Sequence, residues 1–103
     1  MEFSSAVRRH RGHAHLTVAG SLDAFSRWQV TRQVEDAVAR GCRDFVVDAG
    51  DVTFLDAGGL GALIRLRNTT RATGGVLRFE SASPRFRWVC GVAGLDESFG
   101  LTA

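Results

Sequence analysis

The chain lacks several features that would assign it to other classes of protein. Its two cysteines, Cys42 and Cys90, are too few and too dispersed for a disulfide framework or a zinc site, so we expect both to be reduced and buried. It has no long uncharged apolar stretch, which excludes a membrane-spanning helix and direct membrane insertion. The first residues lack the basic and then apolar pattern of a signal peptide, so we expect a cytoplasmic protein.

The chain also lacks lysine and any block of like charge. All its basic side chains except histidine are arginines, and the formal net charge is only +2 with both signs interspersed, which does not predict nucleic-acid binding. Arg8, Arg9 and Arg11 cluster beside His10 without interleaved aromatic residues, so we interpret them as a solvated hairpin turn. With 103 residues, 45% of them hydrophobic, the chain can bury one core, and we expect a single domain over residues 1–103.

Hydrophobic periodicity switches between two and about 3.6 residues in a regular order. It predicts strands at 3–9 and 13–19, a helix at 24–40, a strand at 44–48, a helix after Asp56, a strand at 76–80 and a helix opened by Ser83-Pro84. In the first helix, Asp23 is expected in the cap and Trp28 with the apolar residues that follow it. The apolar triplet 45–47 predicts a central strand covered on both faces. Together these elements predict a mixed α/β sheet with parallel crossovers between the last three strands.

The most informative stretch is 45–63, where a buried strand is expected to lead through a turn to Asp56 and into a helix. Such a junction presents helix-start N–H groups at the end of a sheet, which suits an anion or a docking partner. We interpret Asp56 as the helix cap, and a contact with a partner or a phosphoacceptor is the alternative. Gly58, Gly59 and Gly61 weaken a helix, so we expect a neighbouring backbone or a partner to approach closely there.

The same stretch lacks the features of a catalytic or cofactor site. The glycines have neither the Lys-Ser/Thr of a P-loop nor the G-x-G-x-x-G spacing, which argues against nucleotide binding and leaves no cofactor predicted. Asp48, Asp51 and Asp56 are expected around one turn, but they lack the separation over different strands that a Mg²⁺-binding acid pocket needs. The chain shows no nucleophile with a neighbouring base, so an interaction module is favoured over an enzyme.

Other polar and aromatic residues have ordinary structural interpretations. His10, His13 and His15 lie near one strand without a carboxylate or thiol close in sequence, so no metal site is predicted. Both tryptophans are interpreted as core or partly buried packing residues. The remaining hydroxyls near the junction are alternative phosphorylation sites, although capping and turn roles explain them first: Ser21, Ser26 and Thr53.

A set of short motifs resembles one family over nearly the whole chain. Each motif alone is weak, but their order and spacing together are specific. The motifs are Gly20-Ser21-Leu22-Asp23, the strand 45–48, Val52-Thr53-Phe54-Leu55-Asp56, Gly59-Leu60-Gly61, Gly74-Gly75, Ser83-Pro84 and Gly94-Leu95. On these residues the chain resembles a STAS domain of the bacterial anti-sigma factor antagonist type.

The resemblance implies a four- or five-stranded sheet flanked by helices and a role in partner switching. In that family the antagonist binds an anti-sigma factor of the GHKL serine-kinase type, and phosphorylation by that kinase on a Ser or Thr directly after the Asp breaks the complex. The resemblance places the partner on a surface that we call the docking surface, formed by Asp23, Ala24, Asp56, Ala57, Gly58 and Gly59.

This chain departs from the family pattern at the switch itself. The position that would carry the phosphorylated hydroxyl is Ala57, and the next is Gly58. We therefore expect an antagonist that is insensitive to phosphorylation at the usual site, because alanine neither accepts nor mimics a phosphate. The alternative is a STAS accessory subunit of a transport complex or of a stress-sensing assembly. The exposed first strand could also pair with a second copy in a homodimer.

Overall fold

The computed structural model describes residues 2–101 and has the element order that the sequence predicts. The elements are β1 (Phe3–His10), β2 (His13–Leu22), α1 (Arg27–Ala39), β3 (Asp44–Leu55), α2 (Ala57–Ala72), β4 (Leu77–Ala82) and α3 (Pro84–Val92). The four strands form one sheet in the order β1-β2-β3-β4. This confirms the mixed α/β architecture.

The first two strands form the predicted hairpin. They pair antiparallel around a turn in which Arg11 and Gly12 both have positive φ, 47° and 81°. Two left-handed residues in a two-residue loop match the right-handed twist of the flanking strands. The β2–β3 and β3–β4 pairs are parallel, so a helix crosses over between the strands of each pair.

The helices cover one face of the sheet. Because the strand order follows the chain, right-handed crossovers bring α1 and α2 to the same side. On that side Phe45 and Val47 are almost completely buried, together with Leu16 on β2. Val46 points to the opposite face and is only half-buried, as is its neighbour His15. The expectation that the central strand is covered on both faces was therefore wrong, because β3 is central in the sheet but the helices form a single layer.

The central strand is much longer than predicted. It continues through Ala49, Gly50 and Asp51, which the sequence suggested as a turn, and ends at Leu55. Register shifts between β2 and β3 let both strands continue past the glycines. The three aspartates therefore do not surround one turn. Asp48 accepts hydrogen bonds from the Ser81 hydroxyl and the Gly50 N–H, whereas Asp51 is exposed.

Helix α1 begins three residues later than predicted, with Ser26 rather than Asp23 at the N-cap position. Its buried residues are Val30, Val34 and Ala37, whereas Trp28 is 52% exposed. At about 100° per residue, Trp28 lies about 160° away from Val30 on the helix. Trp28 therefore cannot share the apolar stripe, and the prediction that it lies on that stripe was wrong. Trp88 on α3 is likewise exposed.

The core contains both cysteines as free thiols. Cys42 and Cys90 are buried, as expected from the sequence. Burial, with a smaller contribution from the charge of Asp96, raises the pKa of the Cys90 thiol to about 11, so it stays protonated at neutral pH. Within residues 2–101, none of the helices has the length and apolarity needed to cross a membrane.

Ser83 connects the central strand to α3. Its buried hydroxyl donates to the Val52 carbonyl oxygen at 2.6 Å and accepts the Phe86 N–H at 3.1 Å, which caps the helix. We expect Ser83→Ala to lower the free energy of unfolding by about 2 kcal/mol, because it removes the cap and leaves a buried carbonyl without its partner. Urea unfolding measures this change. Ser4→Ala, on the exposed edge strand, is the control, and equal losses in the two variants would contradict the role of Ser83.

Candidate functional site

The site lies where β2 and β3 end and α1 and α2 begin. Asp56 is the N-cap of α2, with extended backbone (φ −112°) and one carboxylate oxygen accepting the Gly59 N–H at 2.9 Å. This confirms the capping interpretation. The other carboxylate oxygen faces the Ala24 N–H at 3.4 Å. Asp56 therefore joins the start of α2 to the loop that precedes α1.

Two glycines allow this close approach, as the sequence predicted. A Cβ on Gly59 would lie 2.1 Å from the carbonyl oxygen of Leu22, and one on Gly58 would lie 2.7 Å from the Cα of Ala24. Any side chain at these positions would push α2 away from β2 and its following loop. Gly61 differs, because a Cβ there meets no atom within 4 Å. A neighbouring backbone explains Gly58 and Gly59 but does not explain Gly61.

Asp23 organises the loop between β2 and α1. One carboxylate oxygen accepts the N–H groups of Phe25 and Ser26, both at 2.9 Å, and the other accepts the Ser21 hydroxyl at 3.1 Å. The Ser26 N–H, followed by the other donors, holds the pKa of Asp23 below its ordinary value despite some desolvation. The carboxylates of Asp23 and Asp56 thus both accept hydrogen bonds from backbone N–H groups of this chain.

The structure brings the six residues of the docking surface together, but they differ in accessibility. Ala24 and Ala57 are exposed, and Asp23, Asp56 and Gly58 are half-buried. Gly59 is buried, so its part in the surface is to let α2 approach β2.

Aromatic residues that the sequence did not assign to the site lie beside it. Phe25, in the loop after Ala24, is 90% exposed, and Trp28 follows in the first turn of α1. Phe54, next to the end of β3, is also exposed. The helical spacing of the buried residues of α1 would have identified Trp28 as exposed, because Trp28 lies on the opposite side of the helix from the valines.

The alternative hydroxyls differ in their surroundings. Ser21 is 1% exposed, and the Ser26 hydroxyl accepts the Asp23 N–H and donates to the Ser21 carbonyl oxygen. Thr53 is exposed on β3. Of these three hydroxyl residues, Thr53 alone is both exposed and near this end of the sheet.

The histidines lie away from the docking surface. His13 lies 3.5 Å from Asp44, His15 pairs with Glu80 at 2.9 Å, and His10 faces His13 across the hairpin. In the described part of the chain, no three potential ligand side chains gather as a metal site would require.

The sequence matches the family described as "Mlab, STAS domain" over residues 5–103. This match confirms the resemblance that the motifs indicated. Among curated proteins, the anti-sigma-B factor antagonist of Bacillus subtilis (strain 168) is 24% identical over 103 residues. That alignment covers 100% of this chain and 94% of the relative.

Solved structures share the fold. An anti-sigma factor antagonist from Mycobacterium paratuberculosis superposes with a TM-score of 0.80 at 23% identity, covering 95% of this chain and 83% of that one. The unphosphorylated form of the Bacillus anti-sigma factor antagonist SpoIIAA gives a TM-score of 0.81 at 19% identity, covering 91% and 84%. The four-stranded sheet and its helices are thus those of known STAS structures.

The glycines of α2 provide a matched pair of substitutions. We expect Gly59→Ala to destabilise the fold by about 3 kcal/mol, because its Cβ collides with the Leu22 carbonyl oxygen. Gly61→Ala has open space and should stabilise the helix by up to about 1 kcal/mol. Chemical denaturation measures both changes. If the two variants shift stability in the same direction, the close packing of α2 against β2 is disproved.

The hydrogen bonds to Asp23 predict its titration. Its carboxyl carbon, followed by NMR, should titrate with a midpoint below 3.8, and Ser21→Ala should raise that midpoint by removing the hydroxyl donor. Because the pKa is lowered in the folded state, the stabilisation is present above the unfolded pKa and is lost as pH falls through the folded one. A midpoint at or above 3.8 would contradict the proposed hydrogen bonding.

Proposed function

Because this chain belongs to the STAS domain family, we propose that it is an anti-sigma factor antagonist-like regulator that binds an anti-sigma factor of the GHKL serine-kinase type. The curated relative that it matches over its whole length is an anti-sigma-B factor antagonist. The observation that carries the proposal is the docking surface itself. Exposed Ala24 and Ala57 lie beside the almost fully exposed ring of Phe25.

The chemistry of the docking surface favours a protein partner. Exposed aromatic side chains supply much of the binding energy at protein interfaces, where charged residues are depleted from the centre. Phe25 and Trp28 provide such side chains. Asp23 and Asp56 keep their charge, but their carboxylates already accept hydrogen bonds from backbone N–H groups of this chain.

The same geometry supports a complex that phosphorylation at the usual site does not control. Ala57 is exposed in the first turn of α2 but has no hydroxyl, and Gly58 has none either. Ser21 and Ser26 are held inside the neighbouring loop by hydrogen bonds. We infer that the complex persists in the presence of ATP, because no phosphate can form at position 57 to disrupt it.

Binding to a GHKL-type anti-sigma factor tests the proposed partner. We expect a complex at micromolar concentrations by isothermal titration calorimetry and about a tenfold loss of affinity for Phe25→Ala, since an interface anchor contributes at least about 1.4 kcal/mol. Val76→Ala is the matched control, because it also removes an exposed apolar side chain. Val76 lies just before β4 and beside the start of β3, so it is at the end of the sheet opposite the docking surface. Absence of any complex at these concentrations would exclude this function and leave the accessory-subunit alternative.

Intact-mass measurement after incubation with that kinase and ATP tests the missing switch. We expect the natural chain to remain unmodified and Ala57→Ser to gain one phosphoryl group, because the substitution restores the acceptor on an otherwise suitable surface. Ala57→Val, which has no hydroxyl, should also stay unmodified. Phosphorylation of the natural chain would contradict insensitivity, and peptide mapping would show whether exposed Thr53 is the acceptor.

A further inference from the structure

A groove runs along the outer surface between α1 and α2, beside the docking surface but separate from it. It consists of two hollows of about 240 Å³ and 190 Å³ that meet at Thr31, Ala62 and Arg65. Val34 and Leu66 are buried against the hollow of about 240 Å³ and make its floor apolar. From Arg27 to Val38 the groove follows α1 for about 16 Å, or three helical turns.

The end of the groove near the start of α1 is positively charged. Arg27 and Arg65 line it, and within residues 2–101 neither has a carboxylate within salt-bridge distance. Among the described residues that line the groove, Glu35 alone has a carboxylate, and it lines the hollow farther along α1.

Arg27 is held in place without an acceptor. Its guanidinium carbon lies 4.6 Å from the centre of the Trp28 ring, a cation–π geometry. Its Nε is buried and has no hydrogen-bond partner in the described part of the chain. The guanidinium is therefore oriented by stacking, and its Nε donor has no acceptor within residues 2–101.

Gly61 keeps this end of the groove open. It lies inside α2, where glycine weakens a helix, yet it has ordinary helical φ and nothing within 4 Å of a built Cβ. The fold therefore does not require glycine here. A side chain at this position would occupy the hollow lined by Trp28 and Arg65, so glycine allows another backbone to approach.

We propose that this groove binds a helix of a protein partner that has an apolar stripe and carboxylates at the end lying over Arg27 and Arg65. The length and open shape of the groove suit a helix, and its apolar floor would receive side chains spaced three and four residues apart. Arg27 and Arg65, which have no carboxylate partner among the described residues, supply the charge complementarity. The occupant proposed here is not the anti-sigma factor proposed above, although the groove and the anti-sigma factor surface both include Trp28.

The probe is a stapled synthetic helix of about four turns with leucines along one face and two glutamates in its first turn. Titrated into the ¹⁵N-labelled chain, it should shift the amide signals of Thr31, Ala62 and Thr69. Replacing its glutamates by glutamines should weaken binding about tenfold, the effect of losing charge-assisted hydrogen bonds. A peptide of the same composition with the leucine stripe scrambled should not bind.

Variants of the protein complete the test. Arg65→Gln should weaken binding of the glutamate peptide about tenfold but leave the glutamine peptide unaffected, whereas Arg32→Gln, on an exposed position of α1 outside the groove, should change neither. Gly61→Gln should raise the melting temperature and still abolish binding, which separates an occupied groove from a damaged fold. Phe25→Ala should bind the peptide with unchanged affinity, even though it is expected to weaken binding of the anti-sigma factor. The proposal is overturned by shifts on other surfaces, by no binding at millimolar peptide, or by full affinity in Gly61→Gln.

Discussion

The structure depends on the contact between the backbone of α2 and the carbonyl group of Leu22. Gly59 allows α2 to begin directly against the end of β2, and Asp56 fixes that beginning by taking its N–H. Because the same carboxylate also faces Ala24, the loop before α1 is tied to the start of α2. One glycine and one aspartate thus set the positions of both helices relative to the sheet, and the docking surface is the outer side of that junction.

Periodicity predicted the order and type of all seven elements, since each strand and helix buries residues at its own spacing. It could not predict the length of β3. Gly50-Asp51 looks like a turn, but register shifts let the strand continue, and such shifts depend on the paired strand rather than on local sequence. It also could not show that only one face is covered, because apolar Val46 occurs on the open face.

The sequence predicted those parts of the site in which a motif requires a particular local backbone geometry. The cap at Asp56 and the tight approach at Gly58 and Gly59 follow from residue type and position. Accessibility did not follow, because Gly59 is covered by a strand distant in sequence. The exposed aromatic residues were missed for a different reason. Phe25 lies in a loop without periodicity, and Trp28 was assigned to an apolar stripe whose phase excludes it.

The missing hydroxyl changes what can regulate this surface. A phosphate at position 57 would lie at the start of α2, where the helix dipole favours an anion but the carboxylate of Asp56 already takes the Gly59 N–H. Disruption of a complex would then arise from repulsion or desolvation, either beside Asp56 or at the partner. On the proposed function, binding with Ala57 in place depends on apolar contact and packing, which respond weakly to ionic strength. On the proposed function, control therefore lies in the availability of the partner or in a second ligand on the same two helices. The groove between α1 and α2, where Arg27 and Arg65 have no carboxylate partner within residues 2–101, has the position and charge for such a ligand.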